Sequence, residues 1–196
     1  MARSGLFLTI DSGGRLTDMQ ILINLLGFKV GWMSSVLGAA GDMPWLGPAV
    51  LLVVLVVHLR QAERPDLELG LVVACGVLGA WFDSILAATG WVSYPAGQFA
   101  PNLAPYWIVT MWMLFATTLN RSMSWLKGRL ALAAVMGAVA GPMSYYAGSK
   151  LGGIVFEAPL PATIALSVGW AVLMPVVVTL ADRLNGFDAA LARAEQ

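Results

Sequence analysis

The chain has 196 residues, 59% of them hydrophobic and 11% charged, a mean hydropathy of +0.78, and eleven basic residues balanced by eleven acidic ones. A soluble domain carries roughly 25% charged residues, so this much apolar surface needs the bilayer as solvent, and the lack of a basic field excludes nucleic acid as a partner. A single cysteine (Cys75) and a single histidine (His58) exclude an internal disulfide, a multi-thiolate metal or iron–sulfur site and bis-histidine haem ligation, and no metal or other cofactor is called for.

The first 18 residues are polar and Gly-rich (Asp11-Ser12-Gly13-Gly14) and end in Thr17-Asp18, a good N-cap. They read as a cytoplasmic N-terminal extension spanning 1–18. Each bilayer crossing needs about 20 mainly apolar residues. Six stretches qualify: Met19 to about Ala39, Trp45 to Leu59, Leu67 to about Gly90, Pro105 to Leu119, Leu130 to about Gly148, and Leu160 to Ala181. A helix satisfies every backbone group within its own segment, so each stretch is predicted helical despite its Val and Ile content. Gly38-Ala39-Ala40 resembles a signal-peptide cleavage site, but Lys29 interrupts the apolar core before it, so the segment reads as a retained helix.

The expected fold is therefore all-α, a polytopic membrane protein with a bundle of about six transmembrane helices over 19–181. Residues 182–196 read as a short cytoplasmic tail, amphipathic, with Phe187 and Leu191 on one side. Charge orients the bundle. Arg3, Arg15, Arg60, Arg64, Arg121, Lys127, Arg129, Arg183 and Arg193 fall on one side, against Lys150 alone on the other. The positive-inside rule then places both termini in the cytoplasm, in a membrane of bacterial inner-membrane type.

The connection from Trp91 to Ala104 is uncharged, Pro-rich and aromatic, which suits an interfacial loop or a lid over a cavity. Small residues four apart (Gly27 and Gly31, Gly137 and Gly141, Gly148 and Gly152) predict close helix contacts within the bundle. The inverted internal repeat of many transporters is missing from the sequence.

Ionisable residues inside spans are costly unless paired or hydrated, and they point to the site. Lys29 lies ten residues into the first helix, roughly 15 Å deep, and Asp83 sixteen residues into the third, roughly 24 Å from its start. Ser144, Tyr145 and Tyr146 reach a similar level, with Lys150 just beyond and Glu157 in the following loop. The polar groups are thus expected to gather in the outer half of the bundle. Asp83 pairs there with Lys29, or with Lys150 while accepting from Tyr145. Candidate catalytic groups are Asp83 and Tyr145. Candidate substrate-binding groups are Lys29, Asp83, Ser144, Tyr145, Lys150 and, at the cytoplasmic end, Asn120 and Arg121 for an anionic headgroup. His58, beside Arg60, reads as a satisfied interfacial histidine. Trp32, Trp81, Trp112 and Trp170 fall within spans, as core filler or as the walls of a pocket for an acyl or isoprenoid chain.

Several segments together resemble a known family. Asn24-Leu25-Leu26-Gly27-Phe28-Lys29-Val30-Gly31-Trp32, Phe82-Asp83-Ser84, Pro105-Tyr106-Trp107, Phe115-Ala116-Thr117-Thr118-Leu119 and Gly141-Pro142-Met143-Ser144-Tyr145 are similar to an uncharacterised bacterial inner-membrane family, Domain of Unknown Function 2878. Lys29 departs from that pattern, where an uncharged polar residue is expected. The resemblance implies a six-helix inner-membrane protein and no established activity. Three functions are open: assisting or performing modification of a membrane lipid, proton-coupled transport or flipping through Asp83, and a structural or partner role in a membrane complex. The expected partners are membrane lipids and other membrane proteins.

Overall fold

Six helices carry the chain back and forth between two ends, in a computed structural model that describes the backbone of residues 12–187 and the side chains of residues 19–187. They are α1 (Ser12–Ala40), α2 (Leu46–Arg60), α3 (Pro65–Ala88), α4 (Tyr106–Leu119), α5 (Leu130–Lys150) and α6 (Pro159–Arg183). A two-residue ribbon pairs β1 (Val92–Ser93) antiparallel with β2 (Val155–Phe156). We call the end bearing Arg60, Arg64, Arg121 and Arg183 the basic end, and the opposite one the far end.

The helices differ in length. Met19–Ala40, α3, α5 and α6 are each long and apolar enough to cross a membrane. At 15 and 14 residues, α2 and α4 are apolar but shorter. With a rise of 1.5 Å per residue they cover only about 21–23 Å of a hydrocarbon core about 30 Å thick. The loop before α4 packs against the start of that helix, burying Val92, Tyr94 and Ala104 in the bundle while residues 98–103 stay exposed. Tyr106 N–H donates to Gly97 O (3.0 Å), Trp107 Nε1 to Ala96 O (3.0 Å), and Ala104 N–H to Ser84 Oγ (2.9 Å). Helix α1 begins at Ser12 rather than near Met19, because no proline stops it and the turn at Thr17-Asp18 is bypassed.

Packing follows the small residues. Helix α5 lies along α6, α3 along α4, and α1 along both α2 and α4. A methyl group on Gly137 would meet the Trp170 backbone, one on Gly141 the Trp170 ring, and one on Gly79 the Trp112 indole. Gly27 faces Val54 of α2, and Gly31 faces Leu114 of α4. Gly27, Gly31, Gly137 and Gly141 therefore bring helices together inside the molecule, as their spacing predicts, and Gly79 does so as well; Gly152 lies past the end of α5 at positive φ. Large apolar side chains such as Leu52, Val77, Trp81, Val135 and Val168 remain on the outside, as a lipid-facing surface requires.

Candidate functional site

The most buried polar group of the far half is the Asp83 carboxylate on α3, fully excluded from solvent. Three donors from three elements converge on it. Tyr94, in the loop after β1, donates to Oδ1 (2.7 Å), and Trp112 Nε1 of α4 donates to Oδ2 (2.8 Å). The Tyr145 hydroxyl of α5 lies 2.7 Å from Oδ1 and 2.9 Å from Oδ2. The expected contact with Tyr145 is present. The expected partnership with a lysine is not, and the pairing is corrected accordingly: no ion pair forms between Asp83 and either lysine. Lys150 Nζ lies over the Tyr146 ring, 5.0 Å from its centroid, on the outside of α5. Lys29 is exposed on α1, with no ion pair or hydrogen bond among the described residues. Asp83 faces inward from α3, so neutral donors from its neighbours reach it where Lys150, outside α5, and Lys29, at the rim of the bundle, do not.

Trp112 and Tyr145 also form a wall of a cavity of about 570 Å3 between α1, α4, α5 and α6. Its size falls within the range of about 300–1,000 Å3 usual for small-molecule sites. The lining is aromatic and aliphatic, with Lys29, Ser144 and Tyr145 as its polar members. Trp112 stacks on Trp170 at 4.5 Å and 11°, and Phe115 packs edge-on against both. Of the four tryptophans within spans, Trp32, Trp112 and Trp170 border the cavity, while Trp81 faces outward. Asp83 does not line the cavity; it anchors the wall from behind.

The opening of the cavity is set by α1 and α5. Toward the far end these helices meet through Trp32 Nε1, which donates to Ser144 Oγ (3.1 Å), and through Val36 against Gly148 and Gly153. Nearer the basic end the cavity separates them. Exposed Leu25 and Lys29 on α1 and exposed Ala140 on α5 border it. The mouth thus opens sideways, on the surface that apolar side chains mark as lipid-facing.

A second buried carboxylate lies at the basic end, where the sequence reading placed only interfacial anchors. Glu68, four residues into α3, is fully buried. Its Oε2 meets His58 Nε2 at 2.8 Å, and its Oε1 accepts from Asn120 Nδ2 (2.7 Å) and Gly186 N–H (2.8 Å). The concentration of polar groups in the outer half is therefore corrected: there are two hubs, one toward each end. His58 is satisfied, as expected, and its partner is Glu68. Asn120 is engaged by Glu68 and by Leu184 O (3.0 Å). Arg121 donates to Gln20 Oε1 (3.1 Å) and Gln61 Oε1 (3.2 Å), and its guanidinium lies 3.7 Å from the Phe187 ring centroid. Burial lowers the Arg121 pKa from the ordinary arginine value, and the Glu68 carboxylate partly offsets this. Of the proposed amphipathic tail, Phe187 packs on His58 (5.2 Å between centroids), and Leu191 lies outside the described residues.

Two residues of these hubs escaped the sequence reading. Tyr94 lies within the aromatic connection from Trp91 to Ala104, and its signal was a phenol eleven residues beyond a buried aspartate, which reaches it once that stretch turns inward. Glu68 stood next to a predicted helix start, and its signal was its spacing: ten residues after His58, across a short reversal. Among the described residues no three His, Cys, Asp or Glu side chains gather as a metal site.

Fold and site together define a polytopic helical membrane protein with an apolar cavity braced by a buried carboxylate. The chain belongs to the family described as Protein of unknown function (DUF2878), whose model matches residues 21–176, from the start of the first crossing to the middle of α6. The matched region contains Asp83, Glu68 and every residue lining the cavity. No curated protein and no solved structure matches it.

Proposed function

We propose that the protein holds the apolar chain of a membrane lipid in the cavity between α1 and α5, and so assists or performs modification of that lipid. The observation that carries this reading is the sideways mouth. An aromatic-walled cavity bordered by exposed Leu25 and Ala140 opens where lipid chains lie, so a chain enters without crossing water. The basic loops support a bacterial inner-membrane location with both termini in the cytoplasm. Residues 19–181 then form the membrane domain, flanked by short cytoplasmic segments.

Coupled transport through Asp83 draws less support. Its oxygens are occupied by three neutral donors behind the cavity wall, and α5 and α6 run through Pro142 and Pro175 as continuous helices. A purely structural role leaves the cavity without a purpose. The test is the lipid profile of a deletion strain complemented with wild type or with Ala140→Trp at matched abundance, since an indole at position 140 plugs the mouth from an exposed position. A lipid species lost on deletion, restored by wild type and not by Ala140→Trp, supports the reading. An unchanged profile on deletion overturns it.

A further inference from the structure

We infer that the chain held in this cavity belongs to a long-chain carboxylic acid, whose carboxylate is gripped by Lys29. The inference rests on the reading that the cavity takes an apolar chain, and it names the head that the chain carries. Lys29 lies ten residues into the first crossing, roughly 15 Å deep, about half of a hydrocarbon core about 30 Å thick. A cation at that depth costs several kcal/mol unless it is paired or hydrated. Among the described residues Lys29 has no ion pair or hydrogen bond, and it borders the cavity. The missing counter-charge is thus best supplied by the ligand.

A second polar group points the same way. Trp32, three residues after Lys29 and on the same face of α1, donates to Ser144 Oγ. Ser144 uses its oxygen as acceptor, and its own O–H donates to no described residue. An ammonium and a hydroxyl lining one largely apolar cavity match the two oxygens of a carboxylate. Below them, toward the basic end, Phe28, Met136 and Met174 offer only apolar surface for the chain. Depth selects among anionic amphiphiles. A phosphate-headed lipid keeps a strongly hydrated head at the interface, whereas a carboxylic acid can enter protonated and neutral and lose its proton beside Lys29.

The test measures binding of palmitic acid, hexadecanol and hexadecyl phosphate to the full chain in nanodiscs of neutral lipid. The wild type is compared with Lys29→Met, Lys29→Arg and Ala140→Trp. Lys29 is exposed, so these variants preserve the fold. The expected result is that wild type binds palmitic acid more tightly than either other probe. Lys29→Met should weaken the acid about tenfold or more while leaving hexadecanol unchanged, as loss of a charge-assisted hydrogen bond requires. Lys29→Arg should retain the preference. If acid and alcohol bind alike and Lys29→Met changes neither, the carboxylate assignment is overturned and the cavity reading stands. Tighter binding of hexadecyl phosphate overturns the carboxylate assignment in favour of a phosphate head. If no probe binds to wild type, or Ala140→Trp binds all as well as wild type, both readings fall.

Discussion

The Tyr145 hydroxyl lies 2.7 Å from one oxygen of Asp83 and 2.9 Å from the other, so one phenol on α5 spans the whole carboxylate edge of α3. Helices α3 and α5 do not lie side by side; α3 packs along α4 and α5 along α6. The carboxylate thus ties α3 to α5, which do not pack directly, and adds to the contacts that α3 and α4 make with α6. With Trp112 and Tyr94 it also fixes two aromatic walls and the loop before α4. Asp83 is therefore a positioning residue whose effect on ligands passes through Trp112 and Tyr145.

This role separates two substitutions at one position. In Asp83→Asn the amide oxygen can still accept from Trp112 Nε1, and the Tyr94 or Tyr145 hydroxyl can reverse to accept from the new N–H. In Asp83→Leu all three donors lose their acceptor in a buried place, at about 1–3 kcal/mol each. Thermal unfolding in detergent should show Asp83→Asn slightly below wild type and Asp83→Leu strongly destabilised or absent from the membrane. Equal loss in both would mean that the negative charge itself matters, and normal stability in both would remove Asp83 as a brace.

The basic-end hub yields a parallel prediction with a local readout. Glu68 holds Gly186 N–H directly and Leu184 O through Asn120, while Phe187 covers His58. Glu68→Gln keeps an acceptor for Asn120 and Gly186 and can donate to His58, so residues 184–187 should stay docked. Glu68→Ala removes all three contacts. Hydrogen exchange at the Gly186 amide should then rise by about an order of magnitude or more, since an opening free energy lowered by about 1.4 kcal/mol gives tenfold. Unchanged exchange in Glu68→Ala would show that the remaining contacts, Arg64 N–H to Gly186 O, Asn120 to Leu184 O, and Phe187 against His58 and Arg121, suffice to hold these residues.

Much of this architecture could be read from residue order, and the reason is the bilayer. A chain that must bury its backbone polar groups in hydrocarbon can only cross as helices, so the six segments stood out by length and apolarity alone. Asp83 and Tyr145 were visible for the same reason, as polar groups where polarity is expensive. Their partners were not. Tyr94 reaches Asp83 from a loop held by the pairing of Val92–Ser93 with Val155–Phe156, a contact between segments more than sixty residues apart that no local pattern announces. Charge complementarity suggested Lys29 or Lys150 for Asp83, yet helix rotation decides such pairings, and rotation depends on packing. The cavity was legible only as a surplus of tryptophans within spans.

Glycine positions offer a test of that packing. A methyl group on Gly137 would strike the Trp170 backbone, which cannot move aside like the end of a flexible side chain, so α5 and α6 must part. Overpacking of this kind costs about 1–3 kcal/mol. Gly70, exposed on α3, has nothing within 4 Å of the same added atom, and alanine there should stabilise by up to about 1 kcal/mol through helix propensity. The melting temperature of Gly137→Ala should fall and that of Gly70→Ala should hold or rise. The reverse order would contradict the close approach of α5 to α6.

The orientation proposed from charge can be tested because the chain carries one native thiol. Cys75 is fully buried on α3, so it adds little background to labelling with a membrane-impermeant maleimide. Glu63, in the reversal between α2 and α3, and Ala100, in the loop before α4, are both exposed and lie at opposite ends of the bundle. In the orientation proposed from the positive-inside rule, the end beside Arg60 and Arg64 is the cytoplasmic one. Single variants Ala100→Cys and Glu63→Cys should therefore label oppositely in intact cells with a permeabilised outer envelope: Ala100→Cys at once, Glu63→Cys only after the inner membrane is breached. The opposite pattern would invert the topology. It would place the Glu68 hub outside and make the chain an exception to the charge rule. Labelling of both before the breach would show that the two ends do not lie on opposite sides of the membrane, and the lateral-mouth reading of the cavity would fall with that result.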